Sequence, residues 1–330
     1  MENNETQNKF LVCIDASYMT YVILFASIKT FSDKYPEDAS YWIKPVDECD
    51  QSNLPNLLNC DNYKKVLKKQ VMWKLENIED VLKANFQNEI DQCDKIDIIF
   101  AMDDKLTNSF RKHTYPEYKA HRLLVKRQFQ LQPIKDYIVD VIFKELDIEG
   151  EHGYNIVKVE GAEGDDVIAT TLMKLSSNYI GSCLIASDHD FLQIDGIREF
   201  DIFGKEAKRE LGGEEVDAKD YLLGKILMGD RSDNIKQVFE RCGPKTALKW
   251  TKDKSALVKL LKENQSFAER FALNKKMISF SNIPTELSDK IVQTVNQILH
   301  RNEVLNKQRS AFVLPNGSKF IDSCNFDLVI

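Results

Sequence analysis

Short apolar runs recur along the chain and predict buried β-strands. The runs are Phe10–Ile14, Ile96–Met102, Asn155–Val159 and Cys183–Ala186. Most of them are continuously apolar rather than alternating, which is typical of parallel strands that are covered on both faces.

Apolar residues at helical spacing predict helices between these strands. The predicted helices cover residues 17–30, 63–88, 129–146 and 165–175, a segment capped by Asp217 that runs to Met228, and most of the chain from Gly243 to Leu299. The segment Phe31–Asn62 contains three prolines and is rich in Asn, Asp and Ser. We therefore expect an irregular surface insertion there. The alternation of strands and helices predicts an α/β fold with a central, mostly parallel sheet and helices on both faces.

Composition narrows the class of protein. The chain has 330 residues, of which 43% are hydrophobic, and a formal net charge of −7. Its seven cysteines are scattered and include no C-x-x-C pair, which argues against a disulfide scaffold or a zinc ribbon. No apolar run approaches the roughly 20 residues that a membrane span requires. Because the polar N-terminal segment lacks the apolar core of a signal peptide, we expect an intracellular protein without a membrane partner.

Acidic residues follow the predicted strands or begin the predicted helices, where open α/β sheets place their ligands. The clusters are Asp15; Asp103 with Asp104; Glu163, Asp165 and Asp166; Asp188 with Asp190; and Asp230 with Asp233. Oxygen ligands without His or Cys favour Mg²⁺ or Mn²⁺. Two such ions about 4 Å apart promote the attack of water on a phosphodiester. Taken singly, each cluster is better explained as a helix cap or as solvated surface, but their recurrence favours a shared metal site.

Charge alternates along the chain in a basic, acidic, basic order. Residues 104–128 carry a net charge of +5, residues 160–190 carry −5, and residues 241–262 carry +6. This order predicts an acidic site flanked by surfaces that bind a polyanion.

Both basic segments contain groups suited to nucleic acid. In the first, aromatic side chains alternate with cations, as in surfaces that stack unpaired bases. Lys119 and Arg122 are three residues apart, so on a helix both would lie on one face, beside a scissile phosphate. In the second, Gly243-Pro-Lys245-Thr246 opens a helix whose N-terminus can hold a phosphate. A solvated basic helix is the alternative for the first segment.

Together these motifs resemble those of the metal-dependent 5′ nucleases. In chain order they are Asp15, Arg111, Pro116-Glu-Tyr118-Lys119-x-x-Arg122, Glu163-Gly-Asp165-Asp166, Ser187-Asp188-x-Asp190, Met228-Gly-Asp230-x-x-Asp233-Asn-Ile and Gly243-Pro-Lys-Thr-Ala. That family includes flap endonucleases, the 5′ nuclease domains of bacterial DNA polymerases, and bacteriophage exonuclease and ribonuclease H proteins. The general build is most similar to the stand-alone phage enzymes.

The resemblance implies a PIN-like catalytic core over residues 1–210, with a helical arch at about 104–150. It implies a helical region over 211–330 that completes the metal site and binds duplex DNA through a hairpin at about 235–262. It also implies two Mg²⁺ ions, for which Mn²⁺ would substitute. Asp15, Asp103, Glu163 and Asp165 would serve one ion and Asp188, Asp190, Asp230 and Asp233 the other, with Asp166 nearby; Asp103 is preferred to Asp104 because it ends its strand directly.

The resemblance further assigns residues to the substrate. Lys119 and Arg122 would act on the scissile phosphate, and the expected nucleic-acid contacts are Arg111, Tyr118, Arg241, Gly243, Lys245 and Thr246. One departure is that Val238 and Arg241 stand where the family usually carries glycines. Bulky residues there hinder the close approach of backbone to phosphate. This argues against a bound K⁺ and against the contacts that the family's hairpin usually makes with duplex DNA.

We therefore expect a monomeric, structure-specific 5′ nuclease. Its substrates would be DNA with a 5′ flap, a nick or a free 5′ end, or the RNA of an RNA–DNA hybrid, as in primer or flap removal during replication. A replication clamp or a single-strand-binding protein would be its partner, although no docking motif is recognisable. The alternatives are a non-catalytic nucleic-acid-binding protein with the same fold, another PIN-like ribonuclease, and a phosphatase acting on small molecules.

Overall fold

A five-stranded parallel sheet lies at the centre of the molecule, which a computed structural model describes over residues 8–43, 56–121, 126–143 and 154–310. The strands are β1 (Lys9–Asp15), β2 (Lys95–Met102), β3 (Tyr154–Lys158), β4 (Gly181–Ile185) and β5 (Arg198–Phe200), and their order across the sheet is β3-β2-β1-β4-β5. All four pairings are parallel, so the predicted sheet is confirmed. The apolar pattern missed β5, because this strand is three residues long and two of them are charged.

Helices connect and cover these strands. They are α1 (Ala16–Lys34), α2 (Pro36–Trp42), α3 (Asp61–Gln92), α4 (Phe110–Thr114), α5 (Lys126–Tyr137), α6 (Gly164–Leu175), α7 (Ala218–Met228), α8 (Pro244–Lys252), α9 (Lys254–Glu263), α10 (Gln265–Ile278) and α11 (Thr285–Ser310). A π-helical turn, Ile138–Phe143, extends α5, and a two-stranded hairpin joins β6 (Glu210–Leu211) to β7 (Glu214–Glu215). None of the helices in the described ranges combines the length and apolarity that crossing a bilayer requires.

Separate apolar clusters cover the two faces of the sheet. Alternate residues of β1 point to opposite faces, as the pleat requires. Phe10, Val12 and Ile14 belong to the cluster that includes α1 and α3. Leu11 and Cys13 belong to the cluster that includes α6 and α11. The C-terminal helix α11 therefore packs on the same sheet as the N-terminal strand.

The expectation of an irregular insertion at Phe31–Asn62 is wrong for the described part of that segment. Helix α1 continues to Lys34, α2 follows directly, and α3 begins at Asp61. Pro36 occupies the first turn of α2, where the missing N–H costs nothing, so this proline begins a helix rather than breaking one. Residues 44–55 lie outside the described residues, as do 122–125 and 144–153 of the expected arch and its surroundings.

Candidate active site

Two carboxylates end adjacent strands at the carboxyl edge of the sheet. Asp15 ends β1 and caps α1, because its side chain accepts a hydrogen bond of 3.0 Å from the Tyr18 N–H. Asp103 follows β2 and accepts the backbone N–H of Gly164 at 2.8 Å and the Ser17 hydroxyl at 2.7 Å. These bonds fix both carboxylates to the starts of α1 and α6, so the local fold determines where they point.

The charges of four acidic residues interact at this edge. Burial, together with the nearby charges of Asp103 and Asp188 and against the opposing effect of the Tyr18 amide, raises the pKa of Asp15 to about 6. Burial likewise raises the pKa of Asp165 well above its ordinary value, with Asp188 and Asp15 adding to the effect. Asp15, Asp103, Asp165 and Asp188 are therefore close enough to repel one another strongly. A bound cation would relieve this repulsion.

The neighbouring Asp104 serves a local role. Its side chain accepts hydrogen bonds from Asn108 at 2.8 Å and from the Gly161 N–H at 3.0 Å. These bonds hold the loop ahead of α6, whereas Asp103 interacts with Asp15 and Asp165. The geometry is consistent with the preference for Asp103 over Asp104.

Glu163 is the centre of a buried polar network. It caps α6 reciprocally with Asp166, and its oxygens accept hydrogen bonds from Ser109 at 2.7 Å, Tyr118 at 3.1 Å and the Lys119 ammonium. Although burial opposes ionisation, Lys119 and Arg111 lower the pKa of Glu163. Both oxygens are already engaged, so in this arrangement Glu163 positions Lys119.

The expected nucleic-acid contacts at Arg111 and Tyr118 are wrong. Arg111 is 4% exposed and its guanidinium lies 2.6 Å from Asp166 and donates to the Met277 carbonyl oxygen. Tyr118 is 2% exposed and its hydroxyl donates to Glu163. At Arg111 and Tyr118, the alternation of aromatic and basic residues therefore reflects buried pairing rather than a stacking surface. Asp166, which pairs with Arg111, is likewise fully buried.

Lys119 does not lie on a helix, contrary to the prediction that it shares a helical face with Arg122. Helix α4 ends at Thr114, and Lys119 has a φ of +51°, in the left-handed region. This backbone lets the Lys119 N–H donate to the Asp233 carbonyl oxygen at 3.0 Å while its ammonium pairs with Glu163. Lys119 thus joins Glu163 to the loop that carries Asp233. Arg122 lies outside the described residues.

A second group of carboxylates lies beside β4. Asp188 caps a short 3₁₀ helix, His189–Gln193, by accepting the Asp190 N–H at 2.9 Å. The Lys225 ammonium lies 2.5 Å from Asp190 and 3.4 Å from Asp230. Burial raises the pKa of Asp190, with Asp188 adding to the effect. Burial opposes ionisation of Asp230 as well, but Lys225 and the hydrogen bonds from Ser232 together outweigh it and lower the pKa of Asp230. The sequence pattern placed Lys225 on a helix but gave no sign of this role.

Asp230 and Asp233 lie in a tight turn, not on the helical turn that their spacing suggested. Asp230 pairs with Ile235 through backbone hydrogen bonds in both directions. Its side chain accepts the Ser232 N–H at 2.7 Å and the Asp233 N–H at 3.3 Å. The turn keeps Asp230 at Lys225 and brings Asp233 to within 3.8 Å of the Lys119 ammonium. It therefore connects the two groups of carboxylates.

A further acidic residue, Glu199, was not predicted. It lies on β5 and is 3% exposed. Burial, with the charge of Asp188 and smaller contributions from Asp190 and Asp15, raises its pKa to about 8. Its position could not be read from the sequence because β5 itself was missed.

The chemistry of these donors fits a hard divalent cation. All of the converging groups are carboxylates, the ligands that Mg²⁺ and Mn²⁺ prefer. Burial, and after it the repulsion between neighbouring carboxylates, raises the pKa values of Asp15 and Asp165. Across the described ranges, no three acidic, histidine or cysteine side chains are already arranged to hold a metal ion. The carboxylates thus share one edge of the sheet without a preformed coordination shell.

A cleft of about 890 Å³ runs from the second carboxylate group to the start of α8. Its lining includes Lys225 and Asp230 from that group, and Gly243 and Pro244 at the start of α8. Gly243 caps α8, as the sequence indicated, while Lys245 and Thr246 are exposed on its first turn.

Arg241 precedes this helix and adopts a φ of +58°. That left-handed conformation favours glycine, and the side chain of Arg241 is exposed. Val238, the other residue at an expected glycine position, is buried among the apolar side chains beneath the hairpin. The hairpin therefore keeps a backbone suited to glycine while carrying a basic side chain on its surface.

Comparison with known proteins shows which family the sequence resembles. Residues 75–219 match the family model described as the 5′-3′ exonuclease N-terminal, resolvase-like domain. Over this part of the chain the sequence is similar to the 5′-3′ exonuclease family. The matched region carries Asp103, Asp165 and Asp188, and the resemblance inferred from the motifs is confirmed.

Curated relatives agree with this assignment. The chain is 29% identical to a 5′-3′ exonuclease of Buchnera aphidicola subsp. Schizaphis graminum over 53% of this chain and 56% of the relative. It is 28% identical to the flap endonuclease Xni of Shewanella sediminis over 63% of this chain and 76% of the relative. The chain thus spans little more than half the length of the Buchnera protein, and a smaller share of the DNA polymerase I chains that it also matches, such as 18% of that of Mycobacterium bovis.

Solved structures agree on the fold. The bacteriophage T5 D15 protein, crystallised with metal ions, aligns over 88% of this chain and 99% of its own, with a TM-score of 0.55 and 15% identity. The T5 flap endonuclease in complex with DNA and metal ions gives a TM-score of 0.54 and 14% identity over the same shares. At this identity the likeness concerns the fold alone, and it confirms the predicted PIN-like α/β class.

Proposed function

We propose that this chain is a metal-dependent 5′ nuclease that hydrolyses phosphodiester bonds of DNA at 5′ ends or flaps. The observation that carries the proposal is the group of four interacting carboxylates at one edge of the sheet: Asp15, Asp103, Asp165 and Asp188. A binding protein would gain nothing from such a group, because it repels the phosphates of nucleic acid. The match to the 5′-3′ exonuclease family model supports the same activity.

The carboxylates divide into two groups that suit two cations. Asp15, Asp103 and Asp165 would hold one, and Asp188, Asp190, Asp230 and Asp233 the other. We propose Mg²⁺, with Mn²⁺ as a substitute, on the basis of the all-oxygen donor set. When bound, such ions polarise phosphate oxygens and lower the pKa of a bound water.

Lys119 is the proposed cation for the scissile phosphate. It is buried like Arg111, but its ammonium also lies 3.8 Å from Asp233, one of the proposed cation ligands. Glu163, Tyr118 and the Asp233 loop hold it in place, so its charge is oriented before the substrate binds. A fixed positive charge beside the phosphate stabilises negative charge that develops in the transition state. Replacing Lys119 with alanine should reduce cleavage by about 100-fold or more while DNA binding is largely retained.

Duplex DNA would follow the cleft from the carboxylates to the hairpin. Arg231, Lys236, Arg241 and Lys245 are exposed along or beside this cleft, and the N-terminus of α8 adds backbone N–H groups for a phosphate. Flap or primer removal during replication is the proposed role, and the RNA of RNA–DNA hybrids is proposed as a second substrate.

The decisive test is cleavage of a 5′-labelled flap duplex by wild-type protein in Mg²⁺ and in EDTA, beside Asp188→Asn and Asp195→Asn. Asp195 follows the same 3₁₀ helix but is 92% exposed, so its variant is the matched control. We expect short labelled products from wild type and Asp195→Asn in Mg²⁺ only, and none from Asp188→Asn. The product lengths would distinguish end-trimming from flap removal.

Other outcomes would favour the alternatives. Retained binding without cleavage of flap, nicked or hybrid substrates, in Mg²⁺ and in Mn²⁺, would overturn the proposal in favour of a non-catalytic binder. Turnover of a small phosphate ester that flap DNA does not compete with would indicate a phosphatase.

A further inference from the structure

Glu199 is a buried carboxylate for which the described protein supplies no hydrogen-bond partner. It is 3% exposed, and neither of its side-chain oxygens has a partner at ordinary hydrogen-bond geometry in the described part of the chain. The Asp188 backbone N–H is near enough to favour the charged carboxylate, but it does not complete such a bond. Burying a polar group without partners is costly, so this position calls for an explanation.

The strand order places Glu199 beside the second group of carboxylates. It pairs with Leu184 on β4, three residues before Ser187-Asp188 in the chain. Leu184 belongs to the cluster that includes α6 and α11, whereas Cys183 and Ile185 belong to the other cluster. Parallel partners share a face, so Glu199 lies on the α6 side of the sheet. Asp188, Asp190 and Asp15 are close enough to repel its charge.

Within the described residues, no basic side chain forms an ion pair with the Glu199 carboxylate. Lys225, the basic residue paired in this group, is bonded to Asp190 and Asp230. Arg198, the neighbour of Glu199 along β5, points to the opposite face and pairs with Glu206 at 2.7 Å. A cation bound by the adjacent carboxylates would supply the positive charge that Glu199 lacks.

We propose that Glu199 is a positioning residue for the divalent cation held by Asp188 and Asp190, acting on it through Asp188 or through a bound water. This inference rests on the proposed metal-dependent function and deepens it. It extends the acidic edge from the ends of β2, β1 and β4 to a fourth adjacent strand, β5. Groups that support metal ligands in this way commonly change metal affinity by about 10- to 100-fold when they are removed.

The alternative is a purely structural role, in which Glu199 remains an uncharged carboxyl of the core. Glutamine has the same shape as the protonated side chain, so Glu199→Gln should leave metal affinity unchanged in that case. If Glu199 supports the cation as a carboxylate, the same substitution removes the supporting charge. The two roles therefore predict different metal affinities for one variant.

The experiment measures the thermal transition of the full chain, without DNA, over a titration of Mg²⁺ and a second of Mn²⁺. We expect Glu199→Gln to need at least about tenfold more metal than wild type for half of the metal-dependent rise in Tm. Glu199→Asp, which keeps the charge on a shorter side chain, should lie between the two and provides the measurement if the glutamine variant does not fold. Glu210→Gln, at an exposed site on β6, is the matched control and should behave as wild type.

The outcomes separate the two proposals. A wild-type protein whose Tm does not respond to either metal would overturn the metal-dependent function itself. A wild-type response with the same midpoint in Glu199→Gln, or in Glu199→Asp if only that variant folds, would overturn the role of Glu199 and leave the proposed function intact.

Discussion

The ammonium of Lys225 lies 2.5 Å from the Oδ1 of Asp190. It also reaches Asp230, at 3.4 Å, so one lysine of α7 joins the carboxylates of two separate loops. These are the oxygens that a divalent cation would need, and the lysine neutralises them when no metal is bound. Under the proposed function, metal binding and the Lys225 pairs would therefore be coupled.

Replacing Lys225 with methionine should destabilise the metal-free protein. The substitution leaves Asp190 and Asp230 partly buried without their cation, and we expect a loss of about 2–3 kcal/mol in the free energy of unfolding. Because a divalent cation can replace the missing charge, Mg²⁺ should raise the Tm of Lys225→Met by more than it raises that of wild type. Thermal unfolding in EDTA and in Mg²⁺ measures both effects. Lys219→Met, at an exposed site on the same helix, should show neither, and an equal Mg²⁺ response in Lys225→Met and wild type would contradict the coupling.

Arg111 should matter for stability rather than for DNA contact. Its guanidinium is buried against Asp166 and Glu163, and removing one partner of a buried pair typically costs about 3–5 kcal/mol. We expect Arg111→Ala to lose stability of this order in urea unfolding. Lys105→Ala, at an exposed site in the same basic segment, should change stability by less than about 0.5 kcal/mol. A folded Arg111→Ala protein with wild-type stability and weakened DNA binding would restore the interpretation as a nucleic-acid contact.

The sequence predicted the parts of the fold that depend on long apolar patterns. Continuous runs such as Phe10–Ile14 identified the buried strands, and Asp217 caps its helix as expected. The strand ends also identified the edge where Asp15, Asp103 and Asp188 meet, because parallel strands bring their carboxyl ends together.

What sequence could not supply was the conformation of short segments and the pairing of charges. The spacing of Lys119 and Arg122 suggested a helical face, but a left-handed residue at Lys119 redirects the chain toward Asp233. Arg111 looked like a surface cation because its partner, Asp166, is 55 residues away in the sequence. Glu199 was missed since a three-residue strand leaves no periodic signal.

Arg241 combines a strained backbone with a useful charge, and two substitutions separate these effects. Glycine adopts its φ of +58° without the cost of about 1–2 kcal/mol that other residues meet in the left-handed region. Arg241→Gly should therefore raise the free energy of unfolding by about 1 kcal/mol, whereas Arg241→Ala should not. Both variants should bind duplex DNA more weakly and with a smaller salt dependence, because each loses one phosphate contact. Denaturant unfolding and binding at several salt concentrations measure the two effects, and unchanged salt dependence in both variants would place the duplex elsewhere.

Glu199 should also make the metal-free protein less stable as the pH rises. Its pKa is raised to about 8 in the folded protein, chiefly by burial, whereas the pKa of a glutamate in an unfolded chain is about 4.3. Between these values the folded state holds a proton that the unfolded state has released. The free energy of unfolding therefore falls as the pH rises through this window, and the contribution of the protonated Glu199 is fully lost above it. In EDTA, the Tm of wild type should therefore fall more steeply between about pH 5 and about pH 8 than that of Glu199→Gln, whose amide does not titrate. Asp15, with a pKa raised to about 6 by burial, contributes in the same direction to both proteins and cancels in their difference. Parallel curves for wild type and Glu199→Gln would show that Glu199 ionises as readily in the folded protein as in the unfolded chain.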